Sequence, residues 1–327
     1  MGQNRRSLRV GGAAILCALV FRLFASGLPQ RFLEWLDQPN TAAFLTYLET
    51  GRDVRFSPSL EVFSVDFVES PAPSVPEPTE PVLPAFSDAS VIDMYYSCSY
   101  RPDLEALLQQ PLDWDLTGDQ PAVLILHTHT TESYTKNGEN YKESSAYRTL
   151  DESYNMLSIG TRVAEILTEN GIAVLHDREL HDYPSYNGSY TDARKSIQQY
   201  LEDNPSIQLV LDLHRDALED SNGHQLQTVA SVDGVTCAQL MLVMGANYDT
   251  YEDNLSLALK LHAQLEAQSP GITRSLQLRS ARFNQDLCSG GLLVEVGAAG
   301  NTHDEALLAA EQLANAIVAL AKGTAAP

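Results

Sequence analysis

The chain is 327 residues long and carries 43 acidic against 21 basic side chains, a formal net charge of −22. This acidic balance argues against a nucleic acid as partner, because phosphate backbones are bound through Lys and Arg. A hydrophobic content of 44% is enough for a folded core. The scattered cysteines form no Cys-x-x-Cys pair, which excludes a thioredoxin-like motif and a Cys-rich zinc finger but leaves a single disulfide such as Cys237–Cys288 open.

The N-terminal 28 residues have the pattern of a membrane anchor. A basic cluster at residues 4–9 precedes an apolar stretch from Val10 to Leu28, which only Arg22 interrupts. A membrane-spanning helix needs about 20 apolar residues, and the basic cluster would stay in the cytoplasm. We therefore expect a single-pass anchor at residues 1–28, with the rest of the chain outside the cell membrane. A cleaved signal peptide, cut at Ala25–Gly27, is the alternative.

Two connecting segments follow the predicted anchor. Residues 29–67 are a juxtamembrane segment to which the sequence assigns no role. Residues 68–86 are rich in proline, which predicts an extended, semi-rigid linker. We expect residues 87–327 to form the folded domain, with its core at about 120–322.

From about residue 121, apolar runs typical of buried strands alternate with amphipathic helices. Strands are predicted at 122–126, 172–175, 207–213, 240–244 and 291–296, and helices at about 153–170, 190–201, 254–268 and 302–322. The residues from Thr149 to Glu152 and from Thr302 to Glu305 read as capping boxes at two of the helix starts. This alternation predicts an α/β fold with a mostly parallel central sheet flanked by helices.

Chemically versatile side chains lie at the ends of three predicted strands. His127, His129 and Glu132 follow the first strand, His214 ends the third, and Glu295 lies in the last. Ligands of such sheets bind beyond the carboxyl ends of the strands. Two imidazoles, a carboxylate and an open position make a hydrolytic zinc site, and a further carboxylate moves the proton.

Each of these residues also has a plainer interpretation. A single histidine at a strand end is usually structural. His127 and His129 are two apart and so point to the same face of an ideal strand; His127 remains open as a ligand, a group behind a ligand or a substrate contact. Glu295 in an apolar strand is either a functional acid whose pKa burial raises, or the partner of Arg215 or Arg282 in an ion pair.

Five segments resemble the stage II sporulation protein P family of endospore-forming bacteria: residues 127–134, 181–188, 212–217, 282–285 and 293–297. The resemblance implies a single catalytic domain with the fold of zinc-dependent N-acetylmuramoyl-L-alanine amidases. It implies removal of peptidoglycan stem peptides, and cutting of peptide cross-links, during engulfment of the forespore. The implied partners are the lytic transglycosylase stage II sporulation protein D and the membrane protein stage II sporulation protein M. The implied location is the mother-cell membrane facing the forespore septum.

The amidase pattern, laid on this sequence, implies roles for individual residues. His129 and His214 fall on the two zinc histidines and Glu295 on the catalytic glutamate. The third ligand is either Glu152, at the matching helix start, or Glu132, in a His-x-x-Glu spacing. Six further residues are expected behind the ligands or against substrate: His127, His181, Arg215, Asp216, Asn284 and Gln285. The chain departs from the pattern where Thr130-Thr131 replaces Gly-Gly.

Other functions stay open at this stage. A metallopeptidase that cuts only peptide cross-links would use His129, Glu132 and His214. A tethered wall-binding scaffold with an inactive site would hold no metal. A cysteine hydrolase would use Cys288.

Overall fold

The computed structural model describes residues 92–112, 114–135, 147–221 and 223–323, which belong to one compact unit, Pro76–Pro327. The predicted anchor, juxtamembrane segment and linker (1–28, 29–67 and 68–86) lie outside the described residues. Within the described ranges, no helix combines the length and the apolarity that crossing a membrane requires.

Nine strands and five helices make up the described part of the chain. In chain order they are β1 (Met94–Ser97), α1 (Leu104–Gln109), β2 (Val123–Leu126), α2 (Met156–Glu169), β3 (Val174–His176), α3 (Ser189–Asp203), β4 (Leu209–Asp216), β5 (Val229–Val232), β6 (Val235–Ala238), β7 (Leu240–Gly245), α4 (Tyr251–Gln268), β8 (Leu276–Arg279), β9 (Gly291–Ala298) and α5 (His303–Ala321). A short 3₁₀ turn, Gln285–Leu287, precedes β9.

Seven strands form one sheet in the order β1-β8-β7-β9-β4-β2-β3. Strand β7 pairs antiparallel with β9, and the other neighbours in this sheet pair parallel. Strands β5 and β6 form a separate antiparallel hairpin. The predicted α/β class with a mostly parallel central sheet is confirmed.

Helices cover the two faces of the sheet unequally. The larger apolar cluster joins one face of β2, β4, β7, β8 and β9 to α1, α2, α4 and α5. A smaller cluster joins the opposite face of β2 and β4 to Ala193 and Ile197 of α3. A third, of Met241, Val243 and Leu293, lies on the α3 side of β7 and β9 and is packed by Phe283. The central strands are therefore buried on both faces, as their continuous apolar runs predict.

The sheet extends further than the sequence indicated. Strand β1 lies before the predicted core, and β8 was not predicted; both alternate between more and less buried residues. They lie at one side of the sheet, where α3 does not cover them. Their half-polar sequences therefore lack the continuous apolar run that identified the central strands.

Helix α2 begins later than predicted, and its start is not a capping box. Asn155 is the N-cap, and its side chain accepts a hydrogen bond from the backbone N–H of Leu157. Asp151 forms a separate turn in which its carboxylate accepts the N–H of Ser153 at 3.0 Å. The other predicted box is confirmed, since Thr302 and Glu305 cap α5 reciprocally.

Candidate active site

Strands β4 and β9 bring two of the predicted residues together. His214 and Glu295 are register partners in this parallel pair, and the register shifts directly after His214. Such an irregularity frees a backbone group from the ladder. The N–H of Arg215 accordingly donates to Glu132 Oε2 at 3.3 Å instead of to β9. The bulge thus connects β4 to the loop that follows β2.

His129 reaches the same place from that loop. Its ring lies edge-on to that of His214, with the centroids 5.2 Å apart. Tyr186 stacks on His129 at 4.6 Å, and its hydroxyl is 3.2 Å from His129 Nε2. Ser189, the first residue of α3, places its Oγ 3.3 Å from Nδ1. Both ring nitrogens of His129 therefore have an oxygen neighbour.

Glu132 completes the cluster and lies between several cations. The residue is buried, and its Oε2 is 3.7 Å from His214 Nδ1. Its Oε1 is 3.3 Å from Arg148 and 3.7 Å from Arg215. Burial alone would raise the pKa of Glu132, but Arg215 and the neighbouring imidazoles and Arg148 outweigh it, so the pKa is lowered. Glu132 is an ionised acceptor at neutral pH.

The two histidines differ in protonation. Burial lowers the pKa of His129 to about 4, so this imidazole is neutral at physiological pH. Burial also opposes the charge on His214, but the carboxylates of Asp212, Glu132 and Glu295 raise its pKa to about 9. A cation bound here must therefore displace a proton from His214.

Glu295 is a buried acid. Burial raises its pKa to about 8, and Glu132 contributes to the shift, while His214 opposes it. Its Oε2 is buried without a hydrogen-bond partner. Arg215, one of the two arginines predicted as its ion-pair partner, instead donates to the backbone carbonyls of Ser133 and Tyr147. Glu295 can therefore carry a proton at neutral pH, as a general acid must.

Several residues at the cluster were missed by the sequence analysis. Asp212 lies two residues before His214 in β4. Its carboxylate accepts hydrogen bonds from the backbone N–H and the hydroxyl of Thr128. The Oδ1 atom of Asp212 is also 2.9 Å from His214 Nε2. Tyr190 of α3 lies against both His129 and His214. The spacing of Asp212 two residues from His214, on one strand face, was the signal available for it.

Glu152 is not part of this cluster, contrary to one of the two predictions for the third ligand. Its side chain is 60% exposed and pairs with Arg178 at 2.5 Å. The reason is the late start of α2, which leaves Glu152 in an exposed turn. Between the two predicted acids, Glu132 is the one that the structure brings to His214.

His127 and His129 do not share a face, which corrects that prediction. Strand β2 ends at Leu126, so strand alternation does not continue through them. His127 Nδ1 is 3.1 Å from the carbonyl of Leu213, and its Nε2 is 2.9 Å from His176 Nε2. It packs against Gly160 of α2, on the side of the sheet opposite α3. His127 supports the strand end rather than lining the cluster.

The remaining predicted residues make structural contacts. His181 is hydrogen-bonded to Asp177 at 2.9 Å, and Asp216 pairs with Arg274 at 2.8 Å. Gln285 uses both ends of its amide on the backbone of β7. The side chain of Asn284 donates to the carbonyl of Tyr190 at 2.9 Å, so it fixes a residue that touches the cluster.

The cysteines do not contribute a nucleophile or a disulfide in the described residues. Cys98, Cys237 and Cys288 are free. Burial raises the pKa of the Cys288 thiol, which disfavours the thiolate that attacks substrates. The Cys237–Cys288 disulfide and the cysteine hydrolase are therefore not supported.

The donor types of the cluster, two imidazoles and a carboxylate, are those that zinc binds. In the part of the chain that the structure describes, no group of three or more His, Cys, Asp or Glu side chains is placed so that it could hold a metal ion. Two imidazoles on one tetrahedral zinc nevertheless have ring centres about 5 Å apart, close to the 5.2 Å between His129 and His214. Glu295 Oε2 is buried without a hydrogen-bond partner, whereas His214 Nε2 has Asp212 Oδ1 at 2.9 Å. An unsatisfied polar atom such as Glu295 Oε2 is expected where a group is bound.

Comparison with known proteins gives one family and several distant structural likenesses. The family model described as "Stage II sporulation protein P (SpoIIP)" matches residues 77–318. Stage II sporulation protein P of Bacillus subtilis strain 168 is 27% identical over 212 residues, which are 61% of this chain and 51% of that protein. The match thus spans about half the length of this relative.

Solved structures of two amidases are similar to parts of the chain. N-acetylmuramoyl-L-alanine amidase AmiC2 of Nostoc punctiforme is 15% identical with a TM-score of 0.37, covering 62% of this chain and 97% of that one. The Mycobacterium smegmatis amidase Ami1 is 16% identical with a TM-score of 0.37, covering 64% and 96%. The family match covers most of the chain, including every residue of the cluster. The chain belongs to the stage II sporulation protein P family.

Proposed function

We propose that the chain is a zinc-dependent hydrolase of peptidoglycan that acts during sporulation. The observation that carries the proposal is the convergence of His129, Glu132, His214 and Glu295 at one edge of the sheet. Three of these side chains offer the nitrogen and oxygen donors that zinc binds. The fourth is a buried acid with a raised pKa.

His129, His214 and Glu132 would hold the ion. When bound, zinc would polarise a carbonyl and make water a stronger nucleophile at neutral pH. The chain's own residues prepare this site. Asp212 and Glu132 face opposite sides of the His214 ring, at 2.9 and 3.7 Å, and Ser189 and Tyr186 face the two nitrogens of His129. On each imidazole one nitrogen would bind the ion, and the contact on the other nitrogen would orient the ring, as the neighbours of metal ligands generally do.

Glu295 is the proposed proton carrier. Its partnerless Oε2 can hold a proton and give it to the departing amine nitrogen of an amide substrate. This transfer lets the amine leave as a neutral group. The substrate we propose is the amide between the lactoyl group of muramic acid and L-alanine. Removal of stem peptides at this bond is the activity that the family resemblance implies.

The proposal also includes a location and partners for the chain. A single-pass anchor at residues 1–28 would hold the domain outside the cell membrane, on the side of the peptidoglycan. Stage II sporulation proteins D and M are the proposed partners. A peptidase that cuts only cross-links is the second candidate, because the His-x-x-Glu spacing of His129 and Glu132 also serves zinc peptidases, and Glu132 is at the cluster.

Product analysis on purified peptidoglycan tests the proposal. The zinc-loaded chain is expected to release stem peptides with a free L-alanine amino end, whereas shortened peptides still attached to muramic acid would identify the peptidase. His214→Ala and Glu295→Ala are expected to lose release while retaining the fold. His224→Ala is the matched control, since that ring is 77% exposed outside the cluster. Full activity of either cluster variant would overturn the mechanism.

A further inference from the structure

Arg148 joins the loop that carries the proposed zinc ligands His129 and Glu132 to the loop before α3. Its guanidinium is 3.3 Å from Glu132 Oε1 and 3.3 Å from the hydroxyl of Thr131. It also forms an ion pair with the buried Asp182 and lies over the ring of Tyr186, 4.7 Å from its centroid. Thr131 and Glu132 belong to the loop after β2, and Asp182 and Tyr186 to the loop before α3. One side chain thus connects both.

The contact with Glu132 sets the direction of its carboxylate. Oε1 faces the guanidinium groups of Arg148 and Arg215, at 3.3 and 3.7 Å. The other oxygen of Glu132, Oε2, therefore points toward the Arg215 N–H and His214 Nδ1. Arginine suits this task because its planar fork makes several directed contacts at once. Without Arg148, the carboxylate keeps its contacts with Arg215 but loses its closer guanidinium, so it is held less firmly against His214.

The contact with Tyr186 acts on His129. Tyr186 is 55% exposed, so burial alone does not fix its ring. One neighbour is the guanidinium of Arg148, which an aromatic face attracts. Another is the imidazole of His129, on which the ring stacks with an interplanar angle of 17°. Arg148 therefore holds Tyr186, and Tyr186 holds His129.

We propose that Arg148 is a positioning residue of the zinc site, which fixes Glu132 directly and His129 through Tyr186. This inference rests on the proposed function, since it assigns a purpose to Arg148 only if those ligands bind an ion. Asp182 completes the arrangement: it accepts from the N–H and the hydroxyl of Thr131, so the loops stay together while Arg148 orients the ligands.

Metal affinity tests this proposal without using hydrolysis as the readout. Cobalt and zinc dissociation constants of the full chain are measured by competition with a chelator. Arg148→Gln is expected to weaken binding by about 10- to 100-fold, as loss of a group that orients a ligand does. Arg148→Lys is expected to bind more tightly than Arg148→Gln, because it keeps the cation. Arg178→Gln removes a comparable arginine from an ion pair outside the cluster and is expected to leave binding unchanged.

A double-mutant cycle separates the route through Tyr186 from a general loss of structure. If Arg148 acts on His129 through Tyr186, the effects of Arg148→Gln and Tyr186→Leu on cobalt affinity will be less than additive. Unchanged affinity in Arg148→Gln, or Arg148→Lys no better than Arg148→Gln, overturns the inference and leaves the zinc site standing. The variant His214→Ala serves as the control that should bind neither metal. A wild-type chain that also binds neither metal overturns the proposed function and this inference together.

Discussion

His214 and Glu295 lie side by side in adjacent parallel strands, although 80 residues of chain separate them. This pairing places a protonated imidazole beside an acid whose own pKa is raised to about 8. The bulge after His214 then turns the Arg215 N–H toward Glu132. The register of one strand pair therefore fixes three of the four residues on which the proposed chemistry depends.

Replacing Glu295 by Gln is expected to separate activity from stability. The amide cannot carry a proton, so we expect release of stem peptides to fall by roughly 10²- to 10⁴-fold, the usual contribution of a general acid or base. The fold should be retained, because the raised pKa of Glu295 already keeps its carboxyl group largely neutral at pH 7, so a neutral amide of similar shape changes no buried charge. Muropeptide mass spectrometry and thermal unfolding measure the two effects. A variant that unfolds and loses activity together would indicate a structural residue instead.

Gly160 of α2 is expected to resist even the smallest side chain. A Cβ there would lie 2.5 Å from His127 Nε2 and 2.6 Å from His176 Nε2. The His176 ring and the hydrogen bond of the other His127 nitrogen to the Leu213 carbonyl oppose a shift of His127. Overpacking of this kind costs about 1–3 kcal/mol, and the better helix propensity of alanine offsets up to about 1 kcal/mol. Urea denaturation of Gly160→Ala should show a net loss of stability.

The double variant Gly160→Ala/His176→Ala tests the cause of that loss. Removal of the His176 ring gives His127 room to shift, so Gly160→Ala should cost less stability in the His176→Ala background than in the wild type. An equal loss with and without His176 would show that the clash is not with this histidine pair.

The central strands of the fold could be predicted because they are buried on both faces. Strands β2, β4, β7 and β9 read as continuous apolar runs, and the structure confirms each of them. The outer strands β1 and β8 could not be recognised from the sequence, because one face of each strand is more deeply buried than the other and neither strand is a continuous apolar run. The hairpin of β5 and β6 is mostly exposed, which likewise removes the apolar signal.

The site was predicted in part, for a related reason. His129, His214 and Glu132 stand at or near strand ends, and topology alone brings strand ends together. Arg148 and Tyr186 lie in loops, and their contacts depend on how two loops meet, which no periodicity encodes. Glu152 was expected as a ligand because the resemblance places an acid at the start of this helix, but the helix begins after Asn155, whose side chain caps it.

Helix α5 is expected to depend measurably on its capping box. The Thr302 hydroxyl accepts the Glu305 N–H at 3.2 Å, and the Glu305 carboxylate accepts the Thr302 N–H at 3.0 Å. Thr302→Ala removes the first contact and should cost about 1 kcal/mol of unfolding free energy. Thr302→Ser keeps the hydroxyl and should stay close to wild type in the same denaturation experiment. Equal losses in the two variants would show that the methyl group, rather than the cap, stabilises this end of the helix.

The burial of Lys260 in α4 is expected to make the stability of the fold rise with pH in the alkaline range. The residue is only 5% exposed, and its ammonium donates to the Leu107 carbonyl and the Ser256 hydroxyl at 2.9 and 2.7 Å. Burial, with no carboxylate among these partners, lowers its pKa from 10.5 to about 8. Between pH 8 and 10.5 the folded amine is therefore neutral while the unfolded one remains protonated. The unfolded state then binds more protons, so this group makes stability rise with pH, by at most about 1.4 kcal/mol per unit.

The variant Lys260→Met isolates that contribution from the other groups that titrate at alkaline pH. Below pH 8 the wild type bears the cost of a buried charge that Met lacks, whereas above it the wild-type amine is neutral. The free energy of unfolding of the wild type, relative to Lys260→Met, should therefore increase from pH 8 to pH 10. Chemical denaturation at a series of pH values measures this difference. A difference that stays flat across the range would mean that Lys260 keeps the ordinary pKa of an exposed lysine.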